Sequence, residues 1–520
     1  MTCALDASRV EIGRRWGLER AIKARSNVIN SADLGATGAF LTRCWLWVIV
    51  TGVAAQQVSS VSRLLSSFLT RRCLTLFLAS WLPILLITRT SPTVDHEWSR
   101  LGTVEGIVER HSFSLEESRF RNSGDKILYE GHYYSHQPPV LPTLEAPVYW
   151  VLRQFDLHFW NSAPFDLAYF LFTALTNGLA LAGTIVVLDA IWRGFGVASG
   201  VSAWCAVALP LGTWLLPYGV VTNNHGISAL LLACLAWLLM QIDFGRVEVW
   251  ILGALGLTLG LLVAIEVIPI VSFVPLTVAV VASRPILRTR ALLSSFFGGL
   301  ALPLLVHAAL NIPLTGDLLP GGFHSELFVY EGSRFDASTL SGNMNHTSLA
   351  MFVDYAWKAL IVEKGYFLYA PILLVGLVTG VWEWRSWSMA RGVHVVMLGG
   401  TIISLTASLL MTNNFGGSAS GFRHATYLAA PLIVLTLPIF LSRLPVARMA
   451  ARSLIGVALA SAAILFVFIV PQPWYPYRFP PENPALLAWD RYVPAVAQVV
   501  RRMRGVTNEF GLPVVQVVTP

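Results

Sequence analysis

The sequence predicts an all-α polytopic membrane protein with about 11 transmembrane helices and a first outer loop that carries short amphipathic helices. Three observations predict it. Hydrophobic residues make up 55% of the 520 residues and the mean hydropathy is +0.63, above the usual apolar share of soluble domains. The apolar runs are continuous, as in Ala229–Met240 and Leu454–Val470, which excludes the alternating segments of about 10 residues that a closed barrel needs. Arginines fall in every second connection between runs, as they do when one set of loops faces the cytoplasm.

The expected spans are 73–90, 166–188, 200–220, 226–242, 249–265, 267–283, 293–311, 366–382, 393–411, 424–442 and 453–470. Glu266 divides 249–265 from 267–283 and suggests a tight hairpin there rather than one long tilted helix. Trp45–Ala55 is apolar but short, which favours an interfacial segment over a twelfth span. Arg71 and Arg72, Arg193, Arg246, Arg284 to Arg290, Arg385 and Arg391, and Arg443 to Arg452 assign their connections to the cytoplasm. The 91–160 loop, Thr222–Gly226, the Glu266 region, 312–365, 412–423 and the tail from Pro471 then face outward. The chain divides into a cytoplasmic N-terminal extension (1–72), a transmembrane catalytic domain (73–470, outer loop 91–160) and an outer C-terminal tail (471–520). The short outer loops lean towards a bacterial inner membrane, with the N-terminus in the cytoplasm and the site outside.

The net charge of +7 belongs to the cytoplasmic loops and implies no nucleic-acid partner. Cys3, Cys44, Cys73, Cys205 and Cys234 avoid the outer loops, so neither a disulfide framework nor a CxxC metal site is expected.

The unusual polar residues collect on the outer side. Charged residues are only 12% of the chain, yet they crowd residues 95–139. Asp95-His96-Glu97 follows the first span, where a carboxylate is a candidate general base if its surroundings tune it. The plainer reading is a helix N-terminus. Trp98, Leu101, Val104, Ile107 and Val108 recur at helical spacing, with Arg100, Glu105 and Glu109 on the opposite, polar face. His132, Tyr133, Tyr134, Ser135, His136 and Gln137 precede a rigid Pro138-Pro139 corner and suit a sugar or a phosphate, or simply a packed polar loop. Asn224 and His225 sit in a turn between spans, where helix capping is the plainer role. Glu266, at a membrane edge, is a functional candidate because an unpaired carboxylate there is costly. Lys364 and Arg423 stand beside glycine and aromatic residues, and a guanidinium suits a lipid phosphate, or snorkels to headgroups.

The order of these elements resembles the GT-C superfamily of membrane glycosyltransferases, in particular the protein O-mannosyltransferase, aminoarabinose transferase and RgtA/B/C/D-like branches. The features that carry the resemblance are the acidic Asp95-His96-Glu97 after the first span and Tyr133-Tyr134-Ser135-His136-Gln137-Pro138-Pro139 at the end of the outer loop. Lys364-Gly365-Tyr366, Tyr369-Ala370-Pro371 and Gly421-x-Arg423 add to it. Two departures stand out. His96 separates acidic residues that the family keeps adjacent, and Gln137 replaces a lysine that many members carry before the prolines.

The resemblance implies a GT-C-like fold and a polyprenyl-phosphate sugar donor. The acceptor is a lipid, glycan or protein hydroxyl at the outer face, and the transfer inverts the anomeric centre. It implies a carboxylate base, with Asp95 favoured and Glu97 the alternative that the inserted His96 leaves open, and donor-phosphate contacts from Arg423, Lys364 or His136. Sugar or substrate contacts are expected from His132, Tyr133, Tyr134, Gln137, Asn224, His225 and Glu266. One competing activity is an oligosaccharide transferase with a lipid-diphosphate donor, in which Asp95 and Glu97 would hold a divalent metal. No other cofactor is expected. A transporter or flippase competes from a different class, with Glu266 its main support.

Overall fold

A computed structural model of the chain describes residues 70–160, 165–335, 346–384, 390–412, 417, 419–442 and 445–474. Trp45–Ala55, Cys3, Cys44, Arg385, Arg443, most of the N-terminal extension and the tail beyond Trp474 lie outside the described residues.

The described chain is built from helices. In order these are α1 (Arg71–Ile87), α2 (Asp95–Glu105), a two-stranded hairpin, α3 (Val140–Arg153), α4 (Leu167–Gly194), α5 (Ser199–Leu211), α6 (His225–Asp243) and α7 (Val249–Ile265). Then come α8 (Phe273–Ala282), α9 (Arg290–Thr315), α10 (Leu349–Leu360), α11 (Pro371–Trp382), α12 (Arg391–Met411), α13 (Arg423–Leu441) and α14 (Pro445–Phe468). A helix falls on each of the eleven expected spans, and among the described residues six are long and apolar enough to cross a bilayer: α4, α6, α9, α12, α13 and α14. Ser199–Leu211, Val249–Ile265, Ile268–Ala282 and Pro371–Trp382 are shorter. The hydropathy runs thus find helices, while 11 full-length crossings are not established.

Close helix contact rests on small residues. A Cβ on Gly256 would lie 2.0 Å from the Phe296 carbonyl oxygen, and one on Gly260 would lie 2.5 Å from that of Leu300. The Gly256-x-x-x-Gly260 face therefore lets α7 and α9 approach backbone to backbone, the usual device where lipid removes the hydrophobic drive between helices. The chain turns extended at Glu266 (φ −128°, ψ 113°) and ends α7 there. The two halves do not pair as the expected hairpin, because α8 packs on α12 instead of running back along α7.

The arginine-rich helix ends gather together. Arg72 and Arg193 both pair with the buried Asp189 at 2.8 Å, and Arg284 pairs with Asp243. Phe195 and Phe244 join these two clusters, ring to ring at 5.2 Å. The starts of α6 and α13 and the ends of α7 and α12 lie at the other end, where the 88–160 loop also sits. That loop is tied down by the Arg89 amide donating to the Val220 carbonyl at 3.0 Å.

The loop itself departs from pure helix. Strands β1 (Lys126–Tyr129) and β2 (His132–Ser135) pair antiparallel around Glu130 and Gly131, both at positive φ (49° and 84°). That is the backbone a tight two-residue hairpin turn requires, and glycine takes it without strain. The amphipathic helix expected over 98–110 forms as α2 plus one wider turn over Gly106–Arg110. Its polar face is not solvated, however: Arg100 is 2% exposed and Glu105 1%.

Candidate active site

The charges of the 95–139 loop divide into two groups. The larger group is spent internally. Glu105 accepts from Ser118 and pairs with Arg110 and Arg119 at 3.5 and 3.4 Å. Glu109 Oε1 accepts from the Tyr149 hydroxyl at 2.6 Å and meets Arg153 at 3.0 Å. Glu116 pairs with His132, an exposed residue, at 3.3 Å and accepts the Tyr133 amide at 2.7 Å. Tyr133 packs on Tyr330 with Lys126 over its ring. These contacts hold the loop in shape, and His132, Tyr133 and Tyr134 stay on the hairpin.

The expected catalytic pair is also occupied. Glu97 is buried, with Oε2 accepting the Thr93 amide at 2.8 Å and Oε1 accepting the Thr222 amide at 3.2 Å and the Tyr169 hydroxyl. Burial pushes its carboxyl up to about 7, against hydrogen bonds that favour the carboxylate. Asp95 Oδ1 accepts the Gly124 amide at 2.8 Å, and Oδ2 pairs with Arg334 at 2.5 Å. Arg334 reaches on to Asp125 at 2.9 Å.

The smaller group faces a cavity of about 390 Å³. Its walls come from α2 (His96, Arg100), the hairpin exit (His136, Gln137), the α6 start (Asn224, His225), the α7 end (Glu266) and the α13 start (Arg423, His424). Six of the twelve candidates from the sequence meet here: His136, Gln137, Asn224, His225, Glu266 and Arg423. Asp95, Glu97, Lys364, His132, Tyr133 and Tyr134 do not line it.

Local sequence explains each placement. Asn223 caps α6, its Oδ1 accepting the Gly226 amide at 3.1 Å, and Asn177 holds the Asn223 backbone at 2.8 Å. Capping therefore falls to Asn223, and Asn224 and His225 are free to face inward. Gly421, at φ +68°, lies so close to Trp214 that a Cβ would sit 2.8 Å from the indole. Lys364 Nζ donates to the carbonyls of Gly417 and Ala419 at 2.8 Å each. Lys364 therefore braces the approach to Arg423 instead of facing the cavity.

A chain of hydrogen bonds crosses the cavity wall. Gln137 Oε1 accepts from Nε of Arg100 at 2.7 Å and from Nη2. Arg100 Nη2 also reaches Asn224 Oδ1 at 3.2 Å, and Asn224 Nδ2 donates to Glu266 Oε1 at 2.6 Å. Glu266 Oε1 takes a second bond from His225 Nδ1 at 2.8 Å. Because guanidinium only donates, the Gln137 amide nitrogen must point the other way, and it donates to the His96 carbonyl and to His96 Nδ1 at 2.8 and 2.9 Å. His96 therefore carries its proton on Nε2. Burial and the nearby Arg423 and Arg100 hold its pKa well below the ordinary imidazole value, so the ring is neutral.

Several polar atoms of this wall remain unspent. Arg100 Nη1, His96 Nε2 and His225 Nε2 are buried without a hydrogen-bond partner among the described residues. Arg423 makes no hydrogen bond or ion pair to a described residue, and the Lys364 pKa is lowered by burial and by Arg423. Behind the wall, Glu145 of α3 is 3% exposed, neither oxygen has a described partner, and burial pushes its carboxyl up to about 7 against the pull of Arg100. Unpaired buried donors are costly in a folded protein and point to a missing anionic or hydroxyl-bearing ligand.

A divalent metal does not fit these residues. The oxygens of Asp95 and Glu97 are committed to separate donors. His96, Asp125 and His136 bring ligand atoms within 4.8 Å of one another. Yet His96 Nε2 carries a proton, and Asp125 is paired with Arg334.

Sequence reasoning missed three members of the cavity wall and a ring that backs it. His96 and Arg100 stand one helical turn apart on α2, a spacing that could have revealed their shared face. His424 adjoins Arg423. Trp474, beyond the last helix, packs back on His96 and Tyr218 with ring centroids 5.6 and 5.4 Å apart, and no local pattern signals it.

No protein-family model matches the sequence, and no curated protein matches it by sequence. Among solved structures, the chain is similar to ArnT from Cupriavidus metallidurans bound to undecaprenyl phosphate. The TM-score is 0.50 at 13% identity, over 83% of this chain and 70% of that one. A second similarity is to the archaeal oligosaccharyltransferase AglB from Archaeoglobus fulgidus in complex with an inhibitory peptide and a dolichol-phosphate. There the TM-score is 0.48 at 13% identity, and the chain covers only 56% of that protein. At such identity the likeness is one of fold, and it is carried by the first structure: the chain has the GT-C fold.

Proposed function

We propose that this chain is an integral-membrane glycosyltransferase that moves a sugar from a polyprenyl-phosphate donor to an acceptor hydroxyl. The acceptor belongs to a lipid, a glycan or a protein, and the transfer inverts the anomeric centre. The proposed setting is the outer face of a bacterial inner membrane, with the N-terminus in the cytoplasm. The observation that carries the reading is the cavity wall itself. On a GT-C fold it combines Arg100, whose Nη1 has no partner among the described residues, with a second cation, Arg423, and the carboxylate Glu266. A structure of that fold is bound to undecaprenyl phosphate.

Transfer to a hydroxyl needs a proton acceptor and a stabilised leaving phosphate. Arg100 and Arg423 suit the phosphate, because preorganised donors meet the charge as it develops; losing one such donor typically costs about 10²–10³ in rate. Gln137 keeps its place by orienting Arg100 and His96, so the cation of the resembling family is supplied from α2 instead of from residue 137.

For the base, the geometry favours the Glu266 end of the wall over Asp95, whose two oxygens are held by Gly124 and Arg334. Asp95 is the second reading. It adjoins His96, and its partner Arg334 is half exposed and therefore exchangeable.

Purified protein in liposomes, supplied with undecaprenyl-phosphate hexoses and membrane glycolipid acceptors, tests the function. Release of undecaprenyl phosphate with a glycosylated product supports it. Flux of the donor across the bilayer without transfer would replace it with a flippase.

A further inference from the structure

We infer that His225 is the general base of the transfer, with Glu266 as the residue that positions it; this rests on the glycosyltransferase reading above. His225 is 4% exposed and lines the cavity. Its Nδ1 lies 2.8 Å from Glu266 Oε1. A carboxylate only accepts, so Nδ1 carries a proton, and in the neutral ring the lone pair is on Nε2. That Nε2 is buried and has no partner among the described residues. An imidazole oriented by a carboxylate, with its far nitrogen free, is the arrangement by which histidine takes protons from hydroxyl groups.

The rest of the wall holds the pair in place. Asn224 Nδ2 fixes the same Glu266 oxygen at 2.6 Å, and its Oδ1 accepts from Arg100. Arg100, Arg423, His96, His136 and His424 share the cavity, and the Tyr218 ring meets His225 edge-on at 6.0 Å.

In the transfer, the acceptor oxygen bonds to the anomeric carbon as its proton passes to His225 Nε2. The bond from the anomeric carbon to the phosphate oxygen breaks, and its electron pair leaves with the polyprenyl phosphate, facing Arg100 and Arg423. The imidazolium then returns its proton to water. His96 offers the opposite function in the same cavity, an Nε2 proton for donation. The two histidines thus present one acceptor and one donor, each fixed by its neighbour.

Two measurements on the full chain in nanodiscs test the inference. The first needs no turnover. In ¹⁵N-histidine-labelled protein at pH 7.5, the signal absent from His225→Gln belongs to His225. It should report a protonated Nδ1 and a bare Nε2, and Glu266→Gln should abolish that preference. A protonated Nε2 there overturns the assignment. The second is release of undecaprenyl phosphate. His225→Gln should lower kcat about 10²–10⁴-fold while KM for the donor changes less than threefold, and added imidazole should restore His225→Ala at least tenfold. Unchanged kcat with raised KM, or no rescue, overturns the base alone. Wild-type protein that transfers no sugar overturns the glycosyltransferase reading and the base with it.

Discussion

The two ends of the 95–139 loop hold similar side chains and have opposite fates. At its start, Asp95 and Glu97 find donors at every oxygen the structure describes, from Gly124, Arg334, Thr93, Thr222 and Tyr169. At its end, His136 and Gln137 join Arg100, Asn224, His225 and Glu266 around a cavity where Arg100 Nη1, His96 Nε2 and His225 Nε2 have no partner among the described residues. Density of charge marks where a loop is held together. Hydrogen-bonding capacity left unspent by several elements that face one cavity marks where a ligand is expected.

The largest expected effect would break or keep that contrast at the cavity wall. Glu266→Gln should lower turnover about 10²–10⁴-fold with the protein still inserted, because it unfixes the proton acceptor. Arg100→Ala and Arg423→Ala should each cost about 10²–10³ and weaken binding of undecaprenyl phosphate, read by native mass spectrometry. Turnover within twofold of wild type for all three would remove the cavity from the chemistry.

A second change sharpens the contrast within the loop. Gln137→Leu keeps the volume but releases both Arg100 and His96, and should reduce turnover at least tenfold; a smaller loss would mean that the two side chains orient themselves. Asp95→Asn should cost less than tenfold, with a small drop in melting temperature from the part-exposed pair with Arg334. A loss of a hundredfold or more would move the base to Asp95.

The third effect is on stability. Glu145 and Glu97 have carboxyls pushed up to about 7 by burial, above the unfolded value of 4.5. The folded state therefore holds their protons more tightly than the unfolded chain does, and their contribution is most favourable below pH 4.5 and declines as pH rises through 7. Glu145→Gln should raise the melting temperature at pH 8 relative to wild type and change it little at pH 4.5. An equal shift at both pH values would mean that Glu145 gains a partner on folding. Smallest of all, His132→Ala, on the exposed hairpin, should leave turnover within twofold.

Much of this architecture is legible in the sequence because hydropathy and turn chemistry are local. The spans, the break at Glu266 and the amphipathic run after Asp95 need only a few neighbouring residues. The polar set was half legible: Asn224, Glu266 and Arg423 stand out because polar residues at membrane edges are rare. What could not be read was partnership. Nothing in the sequence tells that Glu97 will be used up by Tyr169, 72 positions away, or that Arg100 will rest on Gln137. The β1–β2 hairpin hid behind a Glu-Gly turn whose strands are only four residues each. Trp474 reached the site through a return of the chain that no spacing encodes.

The most direct test of the central claim is a cryo-electron microscopy map of the full chain in nanodiscs with undecaprenyl phosphate. The account expects the phosphate between Arg100 and Arg423, within hydrogen-bonding reach of Arg100 Nη1. A phosphate seated instead on Arg119 or Lys126 of the outer loop, or on Arg334 of the 312–365 connection, with the cavity empty, would contradict it.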